Sequence, residues 1–335
     1  MRLACLLIAG AVYAQTFSTH EAEKLLKSPI YSVMDKDKAG PSGDKHDYVS
    51  YAPYWWPDPG KPNGLPYIRK DGHTNRELTA KGDANHFSET MHGIEVLTQA
   101  MLATGEAAYG ENAVERVRAW FLNPATRMNP NLEYGQAIMG RTDGRGAGLV
   151  TMRGLIPLTF CLKDLKRHKL LTNADDNALR AWLREYLQWL EAGKIGQDEW
   201  KAKDNHGSWY AAQAMALEIY LGEKAKAKKR AEQLKPRIGW QIEPGGRQPL
   251  ETERQDGFSY SVFNLEALAT VAKMAKPLGV DLWQYKTADG RSLRMAFEYL
   301  EPFAAGTKAW PFRQLKRIEP NALAKIRQLR DKHEE

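Results

Sequence analysis

Two short clusters of polar residues have the types and spacing to handle an anion. The first is Asn205 and His206, which precede an apolar helical pattern that begins near Trp209. Side chains at the start of a helix lie beside free backbone N–H groups and the positive end of the helix dipole, which favour an anion such as a carboxylate. The alternative is that Asn205 or Asp204 only caps the helix and that His206 only packs.

The second cluster consists of Arg254 and Tyr260. Gly257 interrupts a continuous helix between them, so Tyr260 is predicted at the start of the next helix and Arg254 on the loop before it. An arginine and a tyrosine placed in this way could converge on one pocket. The alternative is that Arg254 pairs with Glu251 or Glu253 on the surface while Tyr260 half-buries its ring.

Amphipathic helices are the elements that must position these residues. In the segment 175–191 an apolar stripe follows the helical period, and two acidic residues stand at its favourable N-terminal end. Similar stripes predict helices at 86–104, 110–121, 148–166, 207–221, 260–276 and 319–331. Strand-like alternation is almost absent, so the sequence predicts a mainly α protein. So many helices predict an α/α toroid, an incomplete barrel of about five to seven helical hairpins.

The segment 40–76 is rich in proline, glycine and aromatic residues, and it cannot be regular helix. A loop of this length inside a compact domain is usually functional or disordered, and the aromatic content argues against disorder. The sequence therefore predicts a long, aromatic N-terminal loop. Trp55 and Trp56 could stack on a ligand, or they could plug the loop into the rim of the toroid.

Composition and the N-terminal segment limit the class of protein. The 335 residues carry a formal net charge of +7, 43% hydrophobic residues and two cysteines, which excludes low-complexity disorder and a disulfide scaffold. Residues 1–14 have the pattern of a secretory signal peptide, so we expect a periplasmic or secreted product with one domain at 15–335. Removing the signal takes Cys5 away and leaves Cys161, which is expected to be buried and inert. No membrane span is expected, and the protein is expected to be a monomer.

Five blocks of the sequence resemble the alginate lyase superfamily of polysaccharide lyases. They occur in the order of the family, over roughly residues 45–300. The blocks are YAPYWWPDPGKPNGLPYIRKDG (51–72), WFLNPATRMNPNLEYGQ (120–136), GR (140–141), DNHGSWYAAQ (204–213) and GGRQPLETERQDGFSYSVFNLEAL (245–268). The chain departs from the family in its somewhat short length and in Asp204, where many members have asparagine.

The resemblance implies a lyase that cleaves a 1,4-linked polyuronate by β-elimination, with no cofactor and no metal. Alginate, and polymannuronate in particular, is the favoured substrate, and glucuronan or another polyglucuronate is the alternative. The implied catalytic residues are Asn205, His206, Arg254 and Tyr260, and the implied substrate-binding residues are Tyr67, Arg69, Gln136, Arg141 and Trp209.

Other classes of partner and function fit the sequence less well. A glycoside hydrolase would need two opposed carboxylates, for which Asp143, Glu251 and Glu253 are possible members. A non-catalytic glycan-binding protein would have no reason to carry the four implied catalytic residues together. Nucleic acid is disfavoured as a partner because the signal peptide implies export and the Lys and Arg residues are scattered. His86 and His92 do not match a metal-ligand pattern.

The proton transfer implied by the resemblance has two solutions. Tyr260 could remove the C5 proton and return it to the C4 oxygen when both lie on one face of the sugar, provided that Arg254 favours the phenolate. When the two groups lie on opposite faces, as in guluronate, His206 is the better base and Tyr260 the acid.

Overall fold

The computed structural model of the protein describes residues 19–334, with side chains up to residue 331. The segment 1–14, interpreted as a signal peptide, lies outside the described residues, as does Cys5. Helices account for 59% and strands for 5% of the structure, which confirms the predicted mainly α class and the α/α toroid. The helices are α1 Thr19–Leu26, α2 Arg76–Thr79, α3 Ala84–Thr104, α4 Ala107–Val117, α5 Leu155–Arg167, α6 Asn173–Ala192, α7 Lys194–Lys201, α8 Asn205–Leu221, α9 Lys224–Glu232, α10 Leu234–Gln241, α11 Pro249–Thr252, α12 Gly257–Ala275, α13 Leu293–Ala304 and α14 Ala322–Glu334.

The seven predicted helical segments correspond to α3, α4, α5, α6, α8, α12 and α14, whereas the other helices were not predicted. Helix α6 begins at Thr172, whose side chain forms a capping box with Asp175 and satisfies the first free N–H groups of the helix. Its stripe is buried as predicted, from Leu179 to Leu190. A single π turn, Arg118–Leu122, extends α4, and a 3₁₀ helix, Gly146–Gly154, leads into α5.

Helices α8 and α12 are buried on nearly all sides, and α8 connects the two halves of the core. Helix α8 contacts α5, α6, α7, α9 and α12, and α12 contacts α13 and α14. One hydrophobic cluster covers mainly the helices that precede α8 together with one side of α8, and a second covers mainly the other side of α8 and the helices that follow. The two polar clusters of the sequence lie at the N-terminal ends of these two central helices, so the core of the fold positions the site.

The aromatic loop carries short strands instead of helix. The strands are β1 Val49–Tyr51, β2 Trp55–Trp56, β3 Ile68–Arg69 and β4 Tyr134–Ala137. Strand β2 pairs with β3 in antiparallel fashion, and β1 pairs with β4 in parallel, which joins the loop to the segment around residue 136. A Cβ on Gly148 would lie 2.6 Å from the backbone of Gly135, so this glycine permits the close approach of the 3₁₀ helix to β4.

Within residues 19–334, no helix has the length and apolar character that crossing a membrane would require. Cys161 is buried in α5, as expected, and burial raises the pKa of its thiol to about 12. The thiolate, which is the reactive form, is therefore suppressed.

Candidate active site

Asn205 lies at the first turn of α8, where its hydrogen-bonding groups are directed at a buried carboxyl. Asp204 is the N-cap, because its side chain accepts the backbone N–H of His206 at 3.1 Å. The backbone N–H and the Nδ2 amide of Asn205 both donate to Glu251, at 2.6 and 2.7 Å. Asn205 is 1% exposed. Of the two residues considered as the cap, Asp204 caps the helix and Asn205 does not.

His206 is held by a second buried carboxylate. Its Nδ1 lies 2.6 Å from Oε1 of Glu199 on α7, and Glu199 is 4% exposed. Burial acts to lower the His206 pKa, but the hydrogen bond and charge of Glu199 outweigh it and the pKa is raised. Because Glu199 occupies Nδ1, the other ring nitrogen, Nε2, is the one available to a substrate.

The turn before α8 is fixed by side chains from α10. Arg237 donates to the carbonyl oxygens of Ala202 and Trp200, at 2.5 and 2.6 Å. Gln241 donates to the carbonyl oxygens of Lys203 and Asp204, at 3.0 and 3.1 Å. These bonds satisfy backbone groups that a tight turn leaves unpaired, and they hold Asn205 and His206 in position.

Arg254 and Tyr260 are in direct contact. The Arg254 guanidinium carbon lies 3.8 Å from the centroid of the Tyr260 ring, and the Tyr260 hydroxyl lies 2.8 Å from that of Tyr54 in the aromatic loop. Arg254 donates to Asp71 through Nε at 3.1 Å and Nη2 at 2.7 Å. The alternative of a surface pair between Arg254 and Glu251 or Glu253 is therefore wrong: the partner is Asp71, far away in sequence.

Helix α11 brings the two clusters together. The side chain of Glu251 on α11 binds Asn205. The backbone carbonyl oxygen of Glu251 accepts the backbone N–H of Arg254 at 3.1 Å. Glu251 and Arg254 also interact through their charges. Asn205, Arg254 and Tyr260 are thus linked through one short helix and its neighbours, and His206 follows Asn205 directly at the start of α8. The sequence spacing alone does not show this.

Arg254 acts on the pKa of Tyr260 in the expected direction, but its effect is outweighed. Burial, followed by the hydrogen bond with Tyr54, raises the pKa of Tyr260 well above its usual range, and the charge of Arg254 does not offset this. Arg254 is itself neutralised by Asp71. Burial acts to raise the Asp71 pKa, but the hydrogen bonds from Arg254 and Arg69 outweigh it and hold the pKa at about 2. Tyr260 therefore carries its proton at neutral pH.

Gln136 is hydrogen-bonded to Arg145, whose charge acts on His206. Its Oε1 accepts a hydrogen bond from Arg145 at 2.6 Å. The backbone of Gln136 has a positive φ of 52°, and its N–H donates to Ser50 Oγ at 2.9 Å, which supports this conformation. The charge of Arg145 acts on His206 and lowers its pKa. Arg145 is thus a second cation near the site, which the sequence analysis missed.

Three of the predicted substrate-binding residues stand on or against the aromatic loop. Arg141 donates from Nε to the carbonyl oxygen of Tyr67 at 2.8 Å, and its guanidinium lies 5.2 Å from the ring of Trp55. Arg69 donates from Nη2 to Asp71 at 2.8 Å and is largely exposed. Arg141 therefore braces the loop, while Arg69 remains accessible at its edge.

Trp209 does not join this group. It lies one helical turn below Asn205, is 5% exposed and packs on the ring of Phe263 at 5.0 Å between α8 and α12. Residues four apart share a helix face, and here that face is the core. The expectation that Trp209 contacts substrate is thus a poor fit to the structure.

The residues that the sequence analysis missed are mainly partners of the predicted ones. They are Tyr54, Asp71, Arg145, Glu199 and Glu251 in these roles. Tyr54 and Asp71 lie at or beside the aromatic block, so their position in the motif is a signal that could have drawn attention to them. Nothing in the local sequence pairs Glu199 with His206 across two helices.

Comparison with known proteins places this geometry in a family. The model of the alginate lyase family matches residues 32–310. The chain belongs to the alginate lyase family. An alginate lyase from Bacteroides ovatus is similar in structure, with 36% identity, a TM-score of 0.87 and coverage of 93% of this chain and 82% of that one. No curated protein matches the chain.

Two more distant structures share the fold with this alginate lyase family member. Alginate lyase A1-III from Sphingomonas species A1 has 14% identity and a TM-score of 0.56, with 86% of this chain and 77% of that one covered. A variant of alginate lyase A1-III complexed with a tetrasaccharide has 13% identity and a TM-score of 0.58, with 86% and 76% covered. Family membership makes the protein a polysaccharide lyase.

Membership of the alginate lyase family also sets aside the other two classes of function. A glycan-binding protein without activity does not fit an enzyme family. A glycoside hydrolase does not fit the lyase class of the family either. Of the three carboxyls considered for a hydrolase, Glu251 is 1% exposed and has both oxygens bound to Asn205, so it is not accessible to a glycosidic bond.

Proposed function

We propose that this enzyme cleaves alginate, with polymannuronate preferred, by β-elimination at a site formed by Asn205, His206, Arg254 and Tyr260. The observation that carries the proposal is that Glu251 on α11 links Asn205 to Arg254, which contacts the ring of Tyr260, while His206 stands next to Asn205. Family membership and the Bacteroides ovatus structure support a polyuronate substrate. Glucuronan is the second candidate, because its carboxylate would use the same groups.

The chemistry requires stabilisation of negative charge. Removing the C5 proton of a uronate adds electron density to a group that already carries a carboxylate, and the C4 oxygen of the glycosidic bond is then expelled. Donors preorganised around the developing enolate are the largest catalytic contribution available, and each one typically supplies about 3 kcal/mol. Arg254 and Nε2 of His206 are the groups assigned to this role. Asn205 joins them when its Nδ2, which donates to Glu251 in this structure, turns to the substrate.

Tyr260 moves the proton in either stereochemical case. With mannuronate, the ionised fraction of Tyr260 takes the C5 proton and delivers it to the C4 oxygen on the same face, so the phenolate is regenerated in each turnover. Tyr54 supports this step when its hydroxyl donates to the phenolate oxygen. With guluronate, His206 removes the proton and neutral Tyr260 protonates the leaving oxygen. The raised pKa of Tyr260 suits the acid role directly and makes the base role increase with pH.

Export of the enzyme remains part of the proposal. The basic and apolar residues of segment 1–14 support a signal peptide, and an acidic polysaccharide outside the cytoplasm is the expected partner.

A substrate panel tests the proposal. Purified protein is mixed with polymannuronate, polyguluronate, glucuronan or hyaluronan, and the ultraviolet absorbance of unsaturated uronate ends is followed. We expect the fastest increase with polymannuronate. Fastest cleavage of glucuronan would select the second candidate, and no increase with any polymer would contradict a lyase that acts on polyuronates.

A further inference from the structure

A buried carboxyl outside the four proposed catalytic residues controls the orientation of one of them. Oε1 of Glu251 accepts the backbone N–H of Asn205, and Oε2 accepts the Nδ2 amide. Glu251 is 1% exposed, and no other residue of 19–334 donates a hydrogen bond to its carboxyl oxygens. The two-point contact therefore fixes the amide plane of Asn205.

While this contact is made, the end of the Asn205 amide that is not bound to Glu251 is the one that cannot bind a substrate carboxylate. With Nδ2 directed at Glu251, the other end of the amide is the carbonyl oxygen, Oδ1, to which no described residue donates. A carbonyl oxygen repels a carboxylate, whereas an N–H group binds it. An Asn205 that stabilises a uronate must turn its amide round.

We propose that Glu251 is a positioning residue whose protonated form turns Asn205 so that Nδ2 faces the uronate carboxylate. In that form Oε1 still accepts the backbone N–H of Asn205, while the protonated Oε2 donates to Oδ1 instead of accepting from Nδ2. No bond is left unsatisfied, because each group of Glu251 and Asn205 keeps a partner. The inference deepens the proposed function and rests on it, since Asn205 must contact substrate.

The charges around Glu251 make both forms accessible. Burial and the charge of Asp204 raise its pKa, the hydrogen bonds from Asn205 and the charge of Arg254 act to lower it, and the result is about 7. The sign follows from this balance: below about pH 7 Glu251 is protonated and Asn205 presents Nδ2, and above it the carboxylate holds Nδ2 away from substrate. A bound uronate adds a second negative charge nearby, so substrate binding favours protonation of Glu251.

Glu251→Gln mimics the protonated form, because the glutamine amide can donate to Oδ1 while its carbonyl oxygen accepts the backbone N–H. The test compares the pH dependence of kcat/KM on polymannuronate. In the wild type we expect the slope of log kcat/KM against pH to fall by one above about pH 7, a loss of about tenfold per pH unit relative to the variant. A break of unchanged size and position in Glu251→Gln would overturn the proposal.

Glu218→Gln is the matched control. Glu218 is fully buried on α8 and is paired with Arg230, away from the site. This substitution disturbs a buried carboxylate on the same helix without touching Asn205, so it should lower stability and leave the break in the pH profile in place. Loss of the break in this control would show that the pH effect is a general result of disturbing α8, and it too would overturn the proposal.

A second measurement does not depend on the folding of Glu251→Gln. Infrared difference spectra are recorded above pH 7 for ¹³C-labelled Tyr260→Phe with and without tetramannuronate. We expect a protein carboxylate band to be replaced by a carboxylic acid band on binding, and no such change would overturn the proposal. If the wild type makes no unsaturated ends, the proposed function fails; if it does and these signals are missing, the role of Glu251 alone fails.

Discussion

Arg254 carries the charge on which the proposed chemistry depends, and in this structure it shares that charge with Asp71. The two side chains form a double hydrogen bond, and a uronate carboxylate would have the same geometry and charge as Asp71. Arg69 also binds Asp71 and can hold it when Arg254 turns to substrate. At the scale of single residues, the donors of Arg254 and Asn205 are therefore bound to carboxyl groups of the protein, and a substrate carboxylate must replace those groups.

Tyr260→Phe tests the proton transfer. The substitution removes the hydroxyl that transfers a proton in both stereochemical routes, so we expect turnover to fall by roughly 10²–10⁴-fold or more. The rate of appearance of unsaturated ends measures the loss. Circular dichroism and thermal unfolding should match the wild type, because the ring and its contact with Arg254 are retained. Substantial residual activity would refute the assignment.

Asp71→Asn tests whether Asp71 offsets the charge of Arg254. The negative charge of Asp71 helps to raise the Tyr260 pKa, so its removal should lower that pKa and move the rise of activity to lower pH. Phenolate absorbance, titrated in Asp71→Asn and in Asp71→Asn/Tyr260→Phe, isolates the signal of Tyr260. An unchanged Tyr260 pKa would show that Asp71 has no such electrostatic effect.

At the scale of elements, the ends of α8 and α12 present the chemistry while their bodies form the core. The start of α8 is crowded: Gly207 lies against the carbonyl oxygen of Ala202 and the guanidinium of Arg237. Such close packing fixes the direction of the first turn, which carries Asn205 and His206. The positions of Asn205 and His206 thus depend on the close packing at the start of α8.

Gly207→Ala tests this packing. A methyl group there overlaps the carbonyl oxygen of Ala202 and the guanidinium of Arg237, so we expect a loss of about 1–3 kcal/mol in the free energy of unfolding. Activity should fall further than stability explains, because Asn205 and His206 move with the turn. Urea unfolding and kcat measure the two effects. Gly239→Ala on α10 is the control, since its new methyl meets only Thr287, at 3.3 Å, and an equal loss there would contradict the argument.

At the scale of the whole molecule, the basic balance of the chain suits an acidic polymer. The net charge of +7 is modest. Arg69 and Arg254 share Asp71, and Arg145 lies close enough to Arg69 for their charges to interact, although the three are scattered in the sequence. Such a concentration of positive charge raises the local concentration of an anionic substrate. The single domain, the monomeric state and export stay predictions.

Ionic strength tests this charge effect. Added salt screens the attraction between a basic surface and a polyanion, so we expect kcat/KM to fall on the order of threefold to tenfold between low and high salt. The value of kcat at saturating polymer should change much less, because salt screens charge interactions between bound substrate and partly buried side chains less than it screens long-range attraction. A kcat/KM that does not respond to salt would contradict electrostatic capture.

The sequence by itself determined seven of the helices, the mainly α class and the family, because helical periodicity and motif order are local properties of the chain. It also predicted the roles of Asn205, His206, Arg254 and Tyr260, which stand in those motifs. Only the tertiary structure decided their partners. Asp71 reaches Arg254 across 183 positions and Glu251 reaches Asn205 across 46, and no local pattern encodes such contacts. Those partners also decided the protonation of Tyr260, since burial and neighbouring charge are properties of the folded site alone.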